Sequence, residues 1–246
     1  MKTISVAHSP DADDIFMYYA IKFGWVTPKD ARFENIADDI ESLNQATLKG
    51  QYDICAISFA LYPFVKDDYA LLKTAVSFGQ GYGPKLIKKK GTVLKKNFKV
   101  ALSGEFTTNA LLFKIAYPNA RITYLNFLEI EEAVLNGTVD AGVLIHESIL
   151  TYNQELEVER EMWDIWVELS GGDLPLPLGG MCLRRSIPLN DAINYENTLI
   201  KAVDVANKNR KVLSKMLLEK GLIRVNAETL DKYLDLYAND DSVKMS

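Results

Sequence analysis

The feature that most restricts the fold of this chain is a phrase that occurs twice. Residues 46–53 read A-x-L-x-G-x-x-D, and so do residues 133–140. In each, apolar residues at helical spacing run up to a glycine that stops the helix, and a short apolar strand follows. The strands are residues 54–57 after the first phrase and 141–145 after the second. Such an echo predicts two α/β lobes built alike. Ser58 stands just past the first strand and His146, one of only two histidines, just past the second. Open α/β sheets take ligands outside the carboxyl ends of their strands. Both residues are therefore expected at a shared crevice.

The rest of the chain alternates in the same way. Residues 3–7, 31–37 and 52–57 read as strands. The helix between the first two carries Ile15, Phe16, Tyr19, Ala20 and Phe23 on one face, with Asp11, Asp13 or Asp14 placed to cap it. Asp38-Asp39 caps the next helix, which bears Ile40, Leu43 and Leu48. This β-α-β-α-β order predicts a parallel α/β lobe. After Ser58 a short helix is expected around Pro63. Strands are then expected at 71–78 and 84–87, on either side of Gly79-x-Gly81-x-Gly83. A second lobe opens with a strand at 98–102, a helix starting near Thr107-Thr108 and a strand at 121–125. The pattern leaves the type of residues 155–170 open. Residues 174–180, Leu-Pro-Leu-Pro-Leu-Gly-Gly, form a rigid turn into a strand at 181–184, and 191–238 read as helical. The expected fold is two-lobed α/β of the periplasmic-binding-protein type II kind, with a hinged cleft. Lobe one spans residues 1–90 plus 188–246. Lobe two, 91–187, is inserted through crossovers near Gly91 and Pro188.

Bulk properties narrow the function. A length of 246 residues allows one large domain or two small ones. A net charge of -5 argues against a nucleic-acid partner, and the lysine cluster from Lys85 to Lys96 reads as a solvated connection. Cys55 and Cys182 have no C-x-x-C partner and sit in apolar runs, as buried structural thiols do. No run approaches the ~18 apolar residues of a membrane span. Met1-Lys2 leads straight into the first strand, without the ~7–15 apolar residues of an export signal. A soluble cytoplasmic protein without membrane association is expected, and the pattern specifies no oligomeric state.

The candidate chemistry centres on His146. An imidazole titrates near pH ~6.5, so it takes and returns a proton near neutrality. The alternative is a histidine that merely closes a strand end. Glu147 is placed to orient it. Thr107 and Thr108 begin a helix, where free N–H groups and hydroxyls together hold an anion such as a carboxylate. Ser58 has the matching place in lobe one. Asp11-x-Asp13-Asp14 lacks the further ligands and turn glycine of a calcium loop, so capping with a polar ligand contact is expected. The glycines at 79, 81 and 83 lead into a strand rather than a helix, so close backbone approach replaces a dinucleotide reading. His8, ending the first strand, is a second crevice candidate. No cluster has metal-ligand spacing and there is no G-x-S-x-G elbow.

Taken in order, Ser9-Pro10-x-x-x-Asp14-x-Phe16, Ser58-Phe59-x-x-Tyr62, Gly79-x-Gly81-x-Gly83-Pro84, Thr107-Thr108, Ile145-His146-Glu147-Ser148 and Leu174-Pro175-Leu176-Pro177-Leu178-Gly179 resemble the 1,4-dihydroxy-6-naphthoate synthase family of the futalosine route to menaquinone. The resemblance implies the type II binding-protein fold and a cofactor-independent, metal-free lyase. It implies that cyclic dehypoxanthine futalosine, a small carboxylate-bearing substrate, is cleaved at carbon–carbon bonds to the naphthoate and a three-carbon fragment. The family's base carries over onto His146, and its cleft groups onto Ser58, Thr107 and Thr108. Asp14, Gly81, Gly83 and Leu176, within the shared motifs, are expected beside the substrate. Many members read Ser-Pro-Cys-Pro-Asn-Asp where this chain has Ser9-Pro10-Asp11-Ala12-Asp13-Asp14, which sets Asp13 apart. The resemblance also implies further chain beyond Ser246. Two other readings are a chorismate dehydratase of the same route and a non-catalytic carboxylate-binding protein. The Ile145-His146-Glu147 motif favours the lyase over the dehydratase.

Overall fold

In the computed structural model, which describes residues 1–172, 174–238 and 240–243, the two echoed phrases fold alike. Gly50 and Gly137 both take left-handed backbone, with φ of 63° and 79°, which favours glycine because it has no Cβ to clash. Each follows a helix whose alanine carbonyl accepts the closing bond, Gln51 N–H to Ala46 O at 3.0 Å and Val139 N–H to Ala133 O at 3.1 Å. The aspartate that ends each phrase then ties its strand to the first strand of its own lobe. Asp53 accepts from Ser5 N–H and Oγ–H, both at 2.9 Å. Asp140 accepts from Lys99 N–H at 2.7 Å.

The chain runs β1 (Lys2–His8), α1 (Ala12–Lys22), β2 (Ala31–Ala37), α2 (Ile40–Leu48), β3 (Ile54–Ser58), α3 (Tyr62–Val65), β4 (Tyr69–Leu71), β5 (Ser77–Gly79) and β6 (Lys85–Lys89). It continues through β7 (Lys99–Leu102), α4 (Thr108–Ala116), β8 (Arg121–Tyr124), α5 (Ile130–Leu135), β9 (Ala141–Leu144), β10 (Leu156–Glu161), α6 (Met162–Ser170) and β11 (Leu176–Arg184). Four helices follow, α7 (Leu189–Lys208), α8 (Arg210–Glu219), α9 (Ala227–Tyr237) and α10 (Asp240–Val243). Single 3-10 turns stand at Phe59–Leu61, Phe127–Glu129 and His146–Ile149.

The first sheet has the order β2-β1-β3-β11-β4, with β5 also paired to β11. The second, read from its far edge, has the order β8-β7-β9-β6-β10. These are one topology used twice. In each, the first strand pairs in parallel with the second and third. An antiparallel strand then separates the third from the fourth. The separating strand comes from elsewhere in the chain: β11 from late in the sequence, β6 from before β7.

Two compact units result. One comprises residues 1–78 and 179–246, the other 79–178. Sequence periodicity places residues 84–87 in lobe one, but β6 pairs with β9 and β10, so the division falls at Phe78/Gly79 and Leu178/Gly179 rather than at Gly91 and Pro188. The expected strand at 71–78 is two strands, because Ala75 between them takes a positive φ of 51°. The open stretch 155–170 resolves into β10 followed by α6. The strand expected at 181 begins at Leu176, with glycine at 179 and 180 where a side chain would meet Ile57 O and the Phe59 ring.

Each unit has its own core. In the first, Val6, Phe16, Ile54, Ile57, Leu61, Ala202, Leu213 and Leu234 are fully buried. In the second, Leu86, Val100, Phe113, Ile130 and Val143 are buried, with Phe113 stacked on Tyr117 at 4.9 Å and Phe98 edge-on to both. A buried side chain of this size contributes about 1.5–3 kcal/mol.

Candidate functional site

Parallel strands deliver their carboxyl ends to one edge of a sheet, and in both units that edge carries the polar residues singled out in the sequence. In the first unit Ala7 pairs with Cys55, so His8, Ser9 and Ser58 gather at the same edge. The loop after β1 is knotted by its own carboxylates. Ser9 N–H donates to Asp14 at 2.8 Å, and the Ser9 hydroxyl donates to Asp11. Asp11 sits at the start of α1, but its side chain makes no capping bond there. Asp13 instead receives the Ser77 and Tyr233 hydroxyls, both at 3.2 Å, joining α1 to β5 and α9. Asp39 caps α2 as expected, accepting from Glu41 and Ser42 N–H.

His8 has a structural role. Its Nδ1 lies 2.6 Å from Ser9 O, and a carbonyl only accepts, so Nδ1 carries the proton. Nε2 then accepts from the Asn35 amide. Both ring nitrogens are satisfied in the neutral form, and Tyr18 packs on the ring at 4.9 Å. His8, Asp14, Met17, Tyr18, Ala75, Met181, Leu199 and Val203 line one small pocket within this unit. Burial pushes the His8 pKa below its ordinary value, because the charged ring is denied water and the bond to Ser9 O, the Asp11 charge and the Asn35 amide offset that cost only in part. The unfolded chain therefore binds this proton at a higher pH than the folded one. The neutral-ring contribution is complete above about pH 6.5 and is lost as pH falls from there toward the depressed folded value. Tm is expected to fall with acidification below about pH 6.5, and less so in His8→Gln. Thermal melts of both proteins from pH 7.5 to 5 check this; equal slopes would remove His8 as the cause.

Ser58 closes β3, buried to 4% exposure. The Asn44 side chain on α2 grips it twice. Ser58 N–H donates to Asn44 Oδ1 at 3.0 Å, and Asn44 Nδ2 donates to Ser58 Oγ at 3.2 Å. Asn44 was not legible as a site residue. It is one polar position on a helix whose apolar spacing is carried by Ile40, Leu43 and Leu48.

In the second unit Ala101 pairs with Gly142, so the loop before α4 and the residue after β9 share an edge. Thr107 caps α4. Its Oγ accepts from Ala110 N–H at 3.3 Å and donates to Gly104 O at 2.9 Å. The Thr108 hydroxyl donates to Leu178 O at 2.9 Å. The protons of both hydroxyls are thus committed inside the protein, and the anion-binding capacity of this helix start rests on its backbone N–H groups. Behind them, buried Asn109 donates to Ser103 Oγ at 3.1 Å, a pair the sequence pattern also concealed. Gly81 takes a φ of 77°, and Gly83 packs against Leu176, where a Cβ would come within 3.1 Å of Cδ2. Close backbone approach applies at Gly79, where a Cβ would overlap Tyr82 O, whereas Gly81 is set by its left-handed backbone and Gly83 by the Leu176 side chain.

His146 opens the 3-10 turn after β9 on left-handed backbone, with φ of 55°. A non-glycine residue in this region is uncommon, though histidine is among the more tolerant. The imidazole is half-buried, and Phe127 meets it edge-on at 5.0 Å and 73°. The neighbouring Glu147 is buried. The topologically equivalent residue in the first unit, first in the turn after β3, is Phe59, which stacks on Phe78 at 5.7 Å. At this one position of the duplicated edge the first unit carries a phenyl ring and the second an imidazole.

The cysteines lie opposite each other on β3 and β11. Burial pushes the Cys55 thiol up to about 12 and Cys182 well above its usual value, which makes both poor nucleophiles. Among the described residues no group of three or more His, Cys, Asp or Glu is placed to hold a metal ion, and no helix is long and apolar enough to cross a membrane.

Comparison with known proteins agrees with this arrangement. The alkanesulfonate-binding protein of Xanthomonas axonopodis, bound to MOPS, superposes with a TM-score of 0.72 at 13% identity, covering 96% of this chain and 84% of its own. The fold is therefore that of the two-lobed periplasmic binding proteins. A crystal structure of an Archaeoglobus fulgidus protein matches with a TM-score of 0.91 and 32% identity over 99% of this chain and 91% of its own. A Streptomyces coelicolor protein named 1,4-dihydroxy-6-naphthoate synthase is 30% identical across 97% of this chain and 86% of its own length. Residues 4–246 match the family described as menaquinone biosynthesis, and with these relatives the chain belongs to that family.

Proposed function

We propose that this protein is a carbon–carbon lyase that converts cyclic dehypoxanthine futalosine to 1,4-dihydroxy-6-naphthoate, with His146 as general base. The observation that carries the reading is a half-buried imidazole held on left-handed backbone at the carboxyl end of a parallel strand, in a chain aligned almost throughout with a relative named for that synthase. Strained positions of this kind concentrate at functional sites.

The chemistry asks little of the protein. His146 removes a proton from a substrate hydroxyl, and the oxygen's electrons close a carbonyl. The adjacent carbon–carbon bond breaks, and its electrons pass into an enolate, which the returned proton quenches. Backbone N–H groups at the start of α4 supply donors for the substrate's carboxylate or the developing charge. Proton transfer and this electron flow need no cofactor. Ser58, Asp14, Gly81, Gly83 and Leu176 complete the proposed binding groups, and the reading requires a small carboxylate-bearing substrate but no macromolecular partner.

Purified protein incubated with cyclic dehypoxanthine futalosine is expected to release 1,4-dihydroxy-6-naphthoate, followed by mass spectrometry. Folded protein that releases none would count against the lyase. Turnover of chorismate instead would assign the sister dehydratase, and ligand-induced thermal stabilisation without turnover would assign a binding protein.

A further inference from the structure

We infer that Asn44 is a positioning residue that turns the Ser58 hydroxyl into a hydrogen-bond donor aimed at a substrate oxygen. The inference rests on the lyase reading for Ser58's contact with substrate, and on the structure for everything else.

The orientation of the Asn44 amide follows from an asymmetry in its partner. Ser58 presents two atoms to it, a backbone N–H that can only donate and an Oγ that can do either. The N–H lies 3.0 Å from one end of the amide, so that end must be the oxygen. The other end, 3.2 Å from Oγ, is then the NH₂ and must donate. The amide cannot be flipped without setting two donors face to face. Ser58 Oγ therefore accepts from Asn44, and its own proton is turned elsewhere. Among the described residues that proton meets no acceptor, in contrast to the hydroxyls of Thr107 and Thr108, which donate to Gly104 O and Leu178 O. Asn44 is fully buried, at 0% exposure, and Ser58 is at 4%. Leaving a buried hydroxyl proton unmet is costly, so its placement at a strand end where ligands bind marks it for a substrate acceptor, a carboxylate or carbonyl oxygen.

The near-isosteric Asn44→Asp separates polarity from packing. Its carboxylate still accepts from Ser58 N–H, but it also accepts the hydroxyl proton, leaving only lone pairs toward the substrate. We expect kcat/KM to fall about 10- to 100-fold, and Ser58→Ala to fall by a similar factor. The double variant should fall no further than Ser58→Ala alone, because Asn44 acts only through Ser58. Acid should rescue the Asn44→Asp variant in part. Once protonated, the introduced carboxyl donates to Oγ as the amide does, so the ratio of variant to wild-type kcat/KM rises as pH falls. An equal loss in the Ser58→Ala background, or no loss in either, would overturn the proposal.

A second measurement needs neither substrate nor a folded aspartate variant. In wild type one Asn44 Nδ2 proton should resonate downfield in a ¹⁵N–¹H spectrum, and this shift should collapse in Ser58→Ala. An unchanged Asn44 resonance would overturn the hydrogen-bond polarity. If wild type fails to turn over cyclic dehypoxanthine futalosine, the lyase reading fails, while the spectrum still decides the Asn44–Ser58 polarity.

Discussion

Replacing His146 with asparagine is expected to lower kcat by about 10²–10⁴-fold, the usual contribution of a general base, while substrate affinity stays within about tenfold, the worth of one neutral hydrogen bond. Asparagine is the sharper substitution because it tolerates the left-handed backbone on which His146 sits. A loss of activity then reports the missing base rather than a relaxed turn. His146→Ala should show the same loss of turnover. Single-turnover kinetics with cyclic dehypoxanthine futalosine, alongside calorimetric binding, measures both quantities. Turnover that survives in both variants would dismiss the base assignment, and binding that disappears with it would make His146 a ligand contact first.

The largest effect on stability is expected at Gly142. It lies on β9 beneath α5, where an added methyl would overlap Ile130 Cγ2 and approach Val134 Cγ2 to 3.0 Å. Both neighbours belong to a buried helix face, and forcing extra volume into such a contact costs about 1–3 kcal/mol. For a chain of this size Gly142→Ala should lower Tm by roughly 2–12 °C. Adding Ile130→Ala to it should recover part of the loss, so that the double variant melts above the sum of the singles. Strict additivity would place the strain elsewhere. In the first unit the residue paired with the equivalent Ala7 is Cys55, whose Sγ reaches to 3.9 Å from Leu43 O on α2. The helix over β3 leaves room for a side chain, and the helix over β9 does not.

Much of this architecture is legible in the chain because its signals are local. The echoed glycines need left-handed backbone, Asp39 has helix N–H groups within reach, and Thr107 closes its own loop; each is readable within a few residues. What escaped reading depends on partners far along the chain. β6 looks like a continuation of the first lobe until its pairing with β9 is known, and no periodicity records that pairing. His8 resembles a crevice base until Ser9 O and the Asn35 amide are seen to occupy both ring nitrogens. The hydroxyls of Ser58, Thr107 and Thr108 look alike as letters. Only the acceptors around them show that two have committed their protons and that, among the described residues, one has not. Asn44 carries no signal because a single buried polar residue on an amphipathic helix reads as noise until its hydrogen bonds are drawn.

The strand that divides each sheet has a consequence for the order in which the molecule is assembled. In the first sheet β3 and β4 are held apart by β11, whose residues 179–184 complete the pairing. A ribosome that has released β1 through β4 has made every other member of that order, yet the gap between β3 and β4 stays open until more than a hundred further residues have emerged. The second unit suffers no such delay, since 79–178 is one continuous stretch. Closing so long a loop before it is rewarded by contacts is entropically slow. The exposed flanks of β3 and β4 are meanwhile an unpaired edge of the kind that draws other chains. The later lobe is thus free to mature first, and the earlier one waits on the return of the chain.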